Sequence, residues 1–275
     1  MPIYSTSARP IPVETQRAAR ASFGRHTFYL EVGDRLPGLL NGSGNQDIKA
    51  DLNGGQLNGL SLVTVFQYLE GLHDLQAVEA TRTRVDWKYA LHLPLNYPGF
   101  AALRLCRERY RLREQLSEPA RFENLVASLA QIYQPEREAG IFPAGKVLLQ
   151  QVCTSSRLQA VLEAMHMAVE VLASRHPGWL REVSLPHWYE RYRPNATWEQ
   201  QLGSSDPVTC AELIGTDIRY VLERIEEQRM PGMLSMDEVQ HLQHTFTQQY
   251  HTGNGTPQWR RTRCANCKDG GLYQH

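Results

Sequence analysis

Between Leu62 and Leu72 the apolar residues Leu62, Val65, Phe66, Leu69 and Leu72 return every three or four positions, which predicts a helix with one apolar face packed on a neighbour. Ser61 stands where an N-cap would start it. Gly71 and His73 weaken the pattern before Asp74, a candidate cap for a second short helix carrying Leu75, Val78 and Arg82. The result is a helix, a tight turn and a helix. Beyond it the pattern is two-valued: Val85, Trp87, Tyr89, Leu91 and Leu93 alternate as in a half-buried strand, while Trp87, Ala90 and Leu91 also suit a short helix. Pro94 and Pro98 end the segment in either case.

Upstream, a short helix is expected around Glu14 to Ala21, followed by an irregular or extended piece at Phe28-Tyr29-Leu30. Asn41-Gly42-Ser43-Gly44-Asn45 and Asn53-Gly54-Gly55 bracket a flexible connection, because Gly and Asn tolerate left-handed backbone. Downstream, Phe100 to about Leu116 predicts a helix on which Arg104, Arg107 and Arg111 share a face, and Glu123 to Tyr133 predicts another. Gly140 and Pro143-Ala144-Gly145 turn the chain before a strand-like run from Val147 to Val152, and a domain boundary is placed there. Leu158, Val161, Leu162, Met165, Val169 and Leu172 form a long amphipathic face closed by His176-Pro177-Gly178, with Met165 and Met167 read as core. Trp179 to Tyr192, broken near Pro186, Leu213 to Ile225 and Met236 to Tyr250 supply the remaining helices, with Ser235 and Glu238 as a capping box for the last. No internal repeat of fixed period is present.

Composition narrows this picture. A chain of 275 residues, 41% of them hydrophobic, can build a buried core. Its 29 Lys and Arg balance 29 Asp and Glu, so nucleic-acid binding would have to come from uneven placement of charge. Placement is uneven: from Arg82 to Arg113 the basic residues are Arg82, Arg84, Lys88, Arg104, Arg107, Arg109, Arg111 and Arg113, against Asp86 and Glu108 as the only acids. The first thirty residues carry Arg9, Arg17, Arg20 and Arg25 with no apolar run, and no segment is long and apolar enough to span a bilayer, so neither a secretory signal nor a membrane is expected. Cys106, Cys153, Cys210, Cys264 and Cys267 are odd in number and mostly far apart, which argues for a reducing cytoplasm and not a disulfide framework.

Arg84-Val85-Asp86-Trp87-Lys88-Tyr89-Ala90-Leu91, followed by Asn96-Tyr97-Pro98-Gly99-Phe100 and preceded by Leu62 to Leu72, Asp74, Gln76-Ala77 and Arg82, resembles the N-terminal, InsH-type domain of bacterial insertion-sequence transposases of the DDE class. The resemblance implies a mainly α-helical chain in three parts. Residues 1–140 would form a helical DNA-binding domain with a helix-turn-helix-like segment; 141–261 an incomplete catalytic remnant of an RNase H-like fold with a helical insertion; 262–275 a divergent tail. It favours a helix for Val85 to Leu91. The partners it implies are double-stranded DNA at transposon ends and the full-length transposase or a second copy, and the residues to hold DNA are Arg82, Arg84, Lys88, Arg104, Arg107, Arg109, Arg111 and Arg113. Glu108 departs from the family, where an aromatic is usual.

In that family a strand after the helical domain ends in an Arg-Thr-Asp-Ser-Thr-like motif whose aspartate is the first of three metal-binding carboxylates. Alignment through Leu158-Gln159-Ala160-Val161 puts Cys153 at that aspartate and Thr154-Ser155 at its Ser-Thr. A thiol cannot replace a carboxylate for Mg²⁺, which demands oxygen ligands, and no Asp or Glu lies between Glu138 and Glu163. The resemblance continues through Trp179-Leu180-Arg181, Trp188 to Tyr192 and Thr247 to Tyr250 to Gln258-Trp259-Arg260, and the rest of the family's sheet has no counterpart before His275, so the expectation is a truncated protein with no catalytic residues and no cofactor.

Other readings compete. Trp87 and Tyr89 could stack on bases, but aromatics at this spacing are read as core. Cys264-Ala265-Asn266-Cys267 with His241, His244, His251 or His275 would suit zinc, a weak signal from a single Cys-x-x-Cys. Asn195-Ala196-Thr197 matches a glycosylation acceptor without a secretory context, and His187 has no base or nucleophile near it in sequence. A helical protein-interaction module without a nucleic-acid role is the alternative function.

Overall fold

The computed structural model describes residues 10–24, 27–41, 58–114, 118–133, 142–192, 206–228, 231–252 and 255–260. The expected flexible connection from Asn41 to Gly55 falls almost wholly outside them, as do Gly140, Asn195-Ala196-Thr197 and the tail with Cys264, Cys267 and His275. The protein is mainly helical and divides into two compact units, one ending at Cys153 and the other starting at Thr154. Among the described residues no helix is long and apolar enough to cross a membrane.

The first unit contains α1 (Val13–Ser22), α2 (Phe28–Asn41), α3 (Gly59–Glu70), α4 (Asp74–Thr83), α5 (Val85–Ala90), α6 (Leu103–Glu114), α7 (Glu118–Ile132) and the opening turns of α8 (Gly145–Arg175). Asn58, not Ser61, caps α3: its Oδ1 accepts from Leu60 N at 2.8 Å, while the Ser61 hydroxyl accepts from Asn58 N at 3.3 Å, two orphan amides satisfied reciprocally. Every residue from Gly59 to Gln67 is buried, so α3 is enclosed on all sides where the spacing predicts a single apolar face. Gly71, in the left-handed region at φ 65°, stops it, and α4 begins at Asp74 with Gln76 Oε1 accepting from His73 N at 3.2 Å. Asp74 therefore opens α4 from inside the helix, and its carboxylate is engaged elsewhere.

Two expectations are corrected in this unit. Phe28-Tyr29-Leu30 is the first turn of α2 and not extended, because Phe28 and Tyr29 pack edge-to-face on each other and on Phe66 while Leu30 is fully buried. Val147 to Val152 is helical and not strand-like: Leu148, Leu149 and Val152 fall three and four apart and all are buried in the same core as Phe122, Leu125 and Leu129. Val85 to Ala90 is a helix, as the resemblance favours.

The second unit holds the rest of α8, then α9 (Pro177–Val183), α10 (Trp188–Arg191), α11 (Pro207–Glu227), α12 (Pro231–Leu234), α13 (Asp237–Gln249) and the strands β1 (Tyr250–His251) and β2 (Gln258–Trp259). β1 and β2 pair antiparallel with Tyr250 opposite Trp259. Asp206 caps α11 through Thr209 N at 3.0 Å and Val208 N at 3.3 Å, with Pro207 in the first turn. The expected capping box at α13 is absent: Met236 occupies the cap, and the Ser235 hydroxyl donates back to Gly232 O at 3.0 Å. Leu158, Val161, Met165, Ile214, Ile218, Val221 and Leu242 form the centre of this core, whereas Met167, expected inside, is 41% exposed.

Candidate nucleic-acid interface

The Arg84 to Leu91 string is a structural staple. Arg84 ion-pairs with Glu70 and, at 2.6 Å, with Asp86, and its guanidinium lies 5.2 Å from the Trp87 ring centroid and 5.3 Å from that of Tyr29. Glu70 also accepts from the Tyr29 hydroxyl and from Trp87 Nε1 at 3.1 Å, so one carboxylate at the end of α3 fastens α2 and α5. Burial, with the hydrogen bond to Glu70, drives the Tyr29 phenol far above its usual range. Asp86 Oδ1 accepts from Trp87 N at 2.9 Å. Lys88 is buried and donates to Leu95 O, and its ammonium is pushed below the ordinary lysine range by desolvation. The Tyr89 hydroxyl donates to Asp34 Oδ1 at 2.6 Å, and Arg20 Nη2 reaches Asp34 at 2.8 Å and the Tyr89 hydroxyl at 2.6 Å. Trp87 and Tyr89 are both fully buried, as read from their spacing.

α6 divides its arginines between inside and outside. Arg109, 4% exposed, forms a bidentate pair with Asp74, Nη1 to Oδ1 and Nη2 to Oδ2 both at 2.7 Å, and donates to Gln67 Oε1 at 3.3 Å. Burial pulls its pKa down, but the Asp74 charge and hydrogen bonds more than offset this and hold the guanidinium firmly charged. Glu108 is buried and busy: it accepts from Ser61 Oγ at 2.6 Å, Asn58 Nδ2 at 3.4 Å and Arg111 Nη2 at 2.7 Å. It ties α6 to the capped end of α3, so the charge is compensated within the packing.

Of the eight basic residues that the sequence offers for DNA, Lys88 and Arg109 thus face inward and Arg84 and Arg111 are held in half-buried ion pairs. Arg113 lies 3.4 Å from Glu114 and Arg82 2.9 Å from Glu79, the latter pair exposed. Arg104 and Arg107 project to solvent one turn apart on α6, and Arg107 makes no ion pair among the described residues. The segment from Arg82 to Arg113 is net positive in sequence, and Glu70, Asp74 and Glu79, which precede it, neutralise part of that excess. The Glu79–Arg82 and Glu108–Arg111 pairs are legible from their i,i+3 spacing; Asp74 and Arg109, 35 positions apart, are not.

Cys153 is buried within α8 and does not end a strand. In the second unit Asp217, also buried, gathers Arg191 Nη1 at 2.5 Å, the Tyr192 hydroxyl at 2.6 Å and His187 Nε2 at 3.4 Å, so His187 does have a carboxylate partner that its sequence neighbours do not reveal. Gln258-Trp259-Arg260 also has a packing role: Arg157 lies 4.4 Å over the Trp259 ring, donates to Gln249 Oε1 at 2.8 Å and to Arg260 O at 3.0 Å. Among the described residues no three His, Cys, Asp or Glu side chains converge as a metal site would require. Comparison of the chain with protein-family models, curated proteins and solved structures finds no match.

Proposed function

We propose that this chain is a DNA-binding protein allied to the front part of insertion-sequence transposases, which engages duplex DNA through its first unit and performs no strand transfer. The observation that carries the reading is the resemblance from Leu62 to Phe100, whose signature residues build the junction of α2, α3 and α5. Arg104 and Arg107 are exposed on α6, which packs on α3. On this reading the second unit is a remnant of an RNase H-like domain, an assignment resting on the similarity around Leu158 to Val161, Trp179 to Tyr192 and Thr247 to Arg260. Cys153 in place of the first carboxylate accounts for the loss of chemistry.

A fluorescence-anisotropy titration of the full chain against labelled duplex DNA at low salt tests the reading. Saturable binding is expected, with log affinity falling linearly as log salt rises, about 0.9 per phosphate neutralised. A second reading, a helical protein-interaction module, is favoured by the internal pairing of Arg84, Arg109 and Arg111. Absence of binding at low salt would leave that reading standing.

A further inference from the structure

We infer that the second unit holds a site for a small aromatic carboxylate where α13 runs into the β1–β2 pair. The site is independent of the DNA-binding reading, which concerns the first unit. A cavity of about 410 Å³ opens there, lined by Phe246, Thr247, Tyr250, His251, Thr252 and Arg260. That volume is in the range of small-ligand sites. Phe246 and Tyr250 form its aromatic wall, one helical turn apart, their rings stacked with centroids 5.1 Å apart and planes at 24°. Tyr250 is held rigidly: it is buried, its hydroxyl donates to Ala211 O at 2.6 Å, its ring meets Trp259 edge-on at 5.3 Å, and it leaves no room for a Cβ at Gly215 of α11. The wall is therefore formed before any ligand arrives.

Arg260 supplies the polar side. Its Nε donates to Tyr250 O at 2.9 Å and its Nη2 to Thr247 O at 3.4 Å, and Nη1 lies 3.3 Å from His251 Nε2. These contacts fix the guanidinium and leave N–H groups to spare, and no Asp or Glu among the described residues pairs with it. Arg157 repeats the imbalance. Only 4% exposed, it donates to Gln249 Oε1 and Arg260 O and has no carboxylate partner among the described residues, while Gln249 Nε2, also buried, has no acceptor at all. Glu212 on α11 is near enough to act on Tyr250 but pairs with neither arginine. Donors thus exceed acceptors in this corner, and positive charge is drawn out of water without its opposite, an arrangement that a bound anion completes. A carboxylate brings one matching charge and two acceptor oxygens to the free N–H groups of Arg260, and a ring attached to it lies along Phe246 and Tyr250. Arg157 does not line the cavity; it is a positioning residue that holds Trp259 and Arg260.

Benzoate, its uncharged isostere benzamide, and acetate, which lacks the ring, are titrated into the ¹⁵N-labelled full chain and followed by two-dimensional NMR. Benzoate should bind saturably and shift the Trp259 indole N–H signal, assigned by its loss in Trp259→Phe. Benzamide and acetate should each bind about tenfold more weakly, the worth of one charge-assisted contact or one buried ring face. Arg260→Gln should cost benzoate about tenfold and leave benzamide unchanged, whereas Phe246→Leu should weaken benzoate and leave acetate unchanged. No saturable shift with benzoate, equal affinity for benzoate and benzamide, or undiminished benzoate binding in Arg260→Gln would each overturn the site. The three probes on the wild type decide the matter even where Arg260→Gln fails to fold, and no outcome bears on DNA binding by the first unit.

Discussion

Nothing in the sequence around Arg109 separates it from the surface cations of α6; Glu108 beside it pairs with Arg111, and its own partner sits at the start of α4. A charge that loses its water is tolerated only when an opposite charge meets it at close range, and Asp74 does so with two parallel bonds. Breaking one side of such a pair costs more than the pair is worth, because the remaining charge stays buried. Asp74→Ala is accordingly expected to destabilise the first unit by about 3–5 kcal/mol. Asp74→Leu combined with Arg109→Leu should recover a substantial part of that loss, and urea denaturation of the two variants followed by far-ultraviolet circular dichroism would check both. If the single and double variants are equally unstable, the pair is a packing feature and not an electrostatic one. Local spacing makes Trp87 and Tyr89 legible as core; the fate of Lys88 is not legible, because its acceptor, Leu95 O, belongs to a loop whose path the sequence does not specify.

At the level of elements, most helices are legible because their apolar positions repeat at three and four, and the failures occur where that signal is short. Phe28-Tyr29-Leu30 and Val147 to Val152 are runs too brief to separate periods of two and 3.6, and β-branched or aromatic content tips both toward strand until tertiary packing decides otherwise. The close approach of α2 to α5 is equally hidden. A Cβ added at Gly33 would meet Tyr89 O at 2.8 Å and its ring at 2.6 Å, whereas at Gly38, further along α2, it would meet nothing within 4 Å. The same substitution should then have opposite signs on one helix. Gly38→Ala should stabilise by about 0.5–1 kcal/mol, the usual gain at an open helical position. Gly33→Ala should destabilise by about 1–3 kcal/mol, because backbone of α5 must give way. Melting temperatures moving in the same direction for both would show that α2 and α5 are not packed at this distance.

For the whole molecule, net charge and its distribution along the chain give a misleading map, because a window of sequence counts only the charges inside it. Folding brings Glu70, Asp74 and Glu79 against the basic segment, and what survives on the surface is narrower than the eight basic residues between Arg82 and Arg113. The position of Cys153 is altered too: it is enclosed in a helix, electrostatically close to Arg109, and not at the exposed end of a strand where two metal ions could be shared. On the proposed transposase-like reading, a carboxylate supplied at that position should therefore fail twice over. Cys153→Asp is expected to yield no Mg²⁺- or Mn²⁺-dependent nicking or joining of duplex DNA, since one carboxylate cannot position the ions of an in-line displacement. It is also expected to lower stability by several kcal/mol, because a carboxylate placed there is taken out of water beside a guanidinium already committed to Asp74. Purified wild type and variant, assayed side by side with supercoiled DNA and followed by thermal denaturation, would check both parts. Metal-dependent cleavage in either protein that survives rigorous purification would refute the non-catalytic reading. An unchanged melting temperature in the variant would instead show that residue 153 has access to water, and that it lies further from the Arg109–Asp74 pair than the packing of α8 on this core allows.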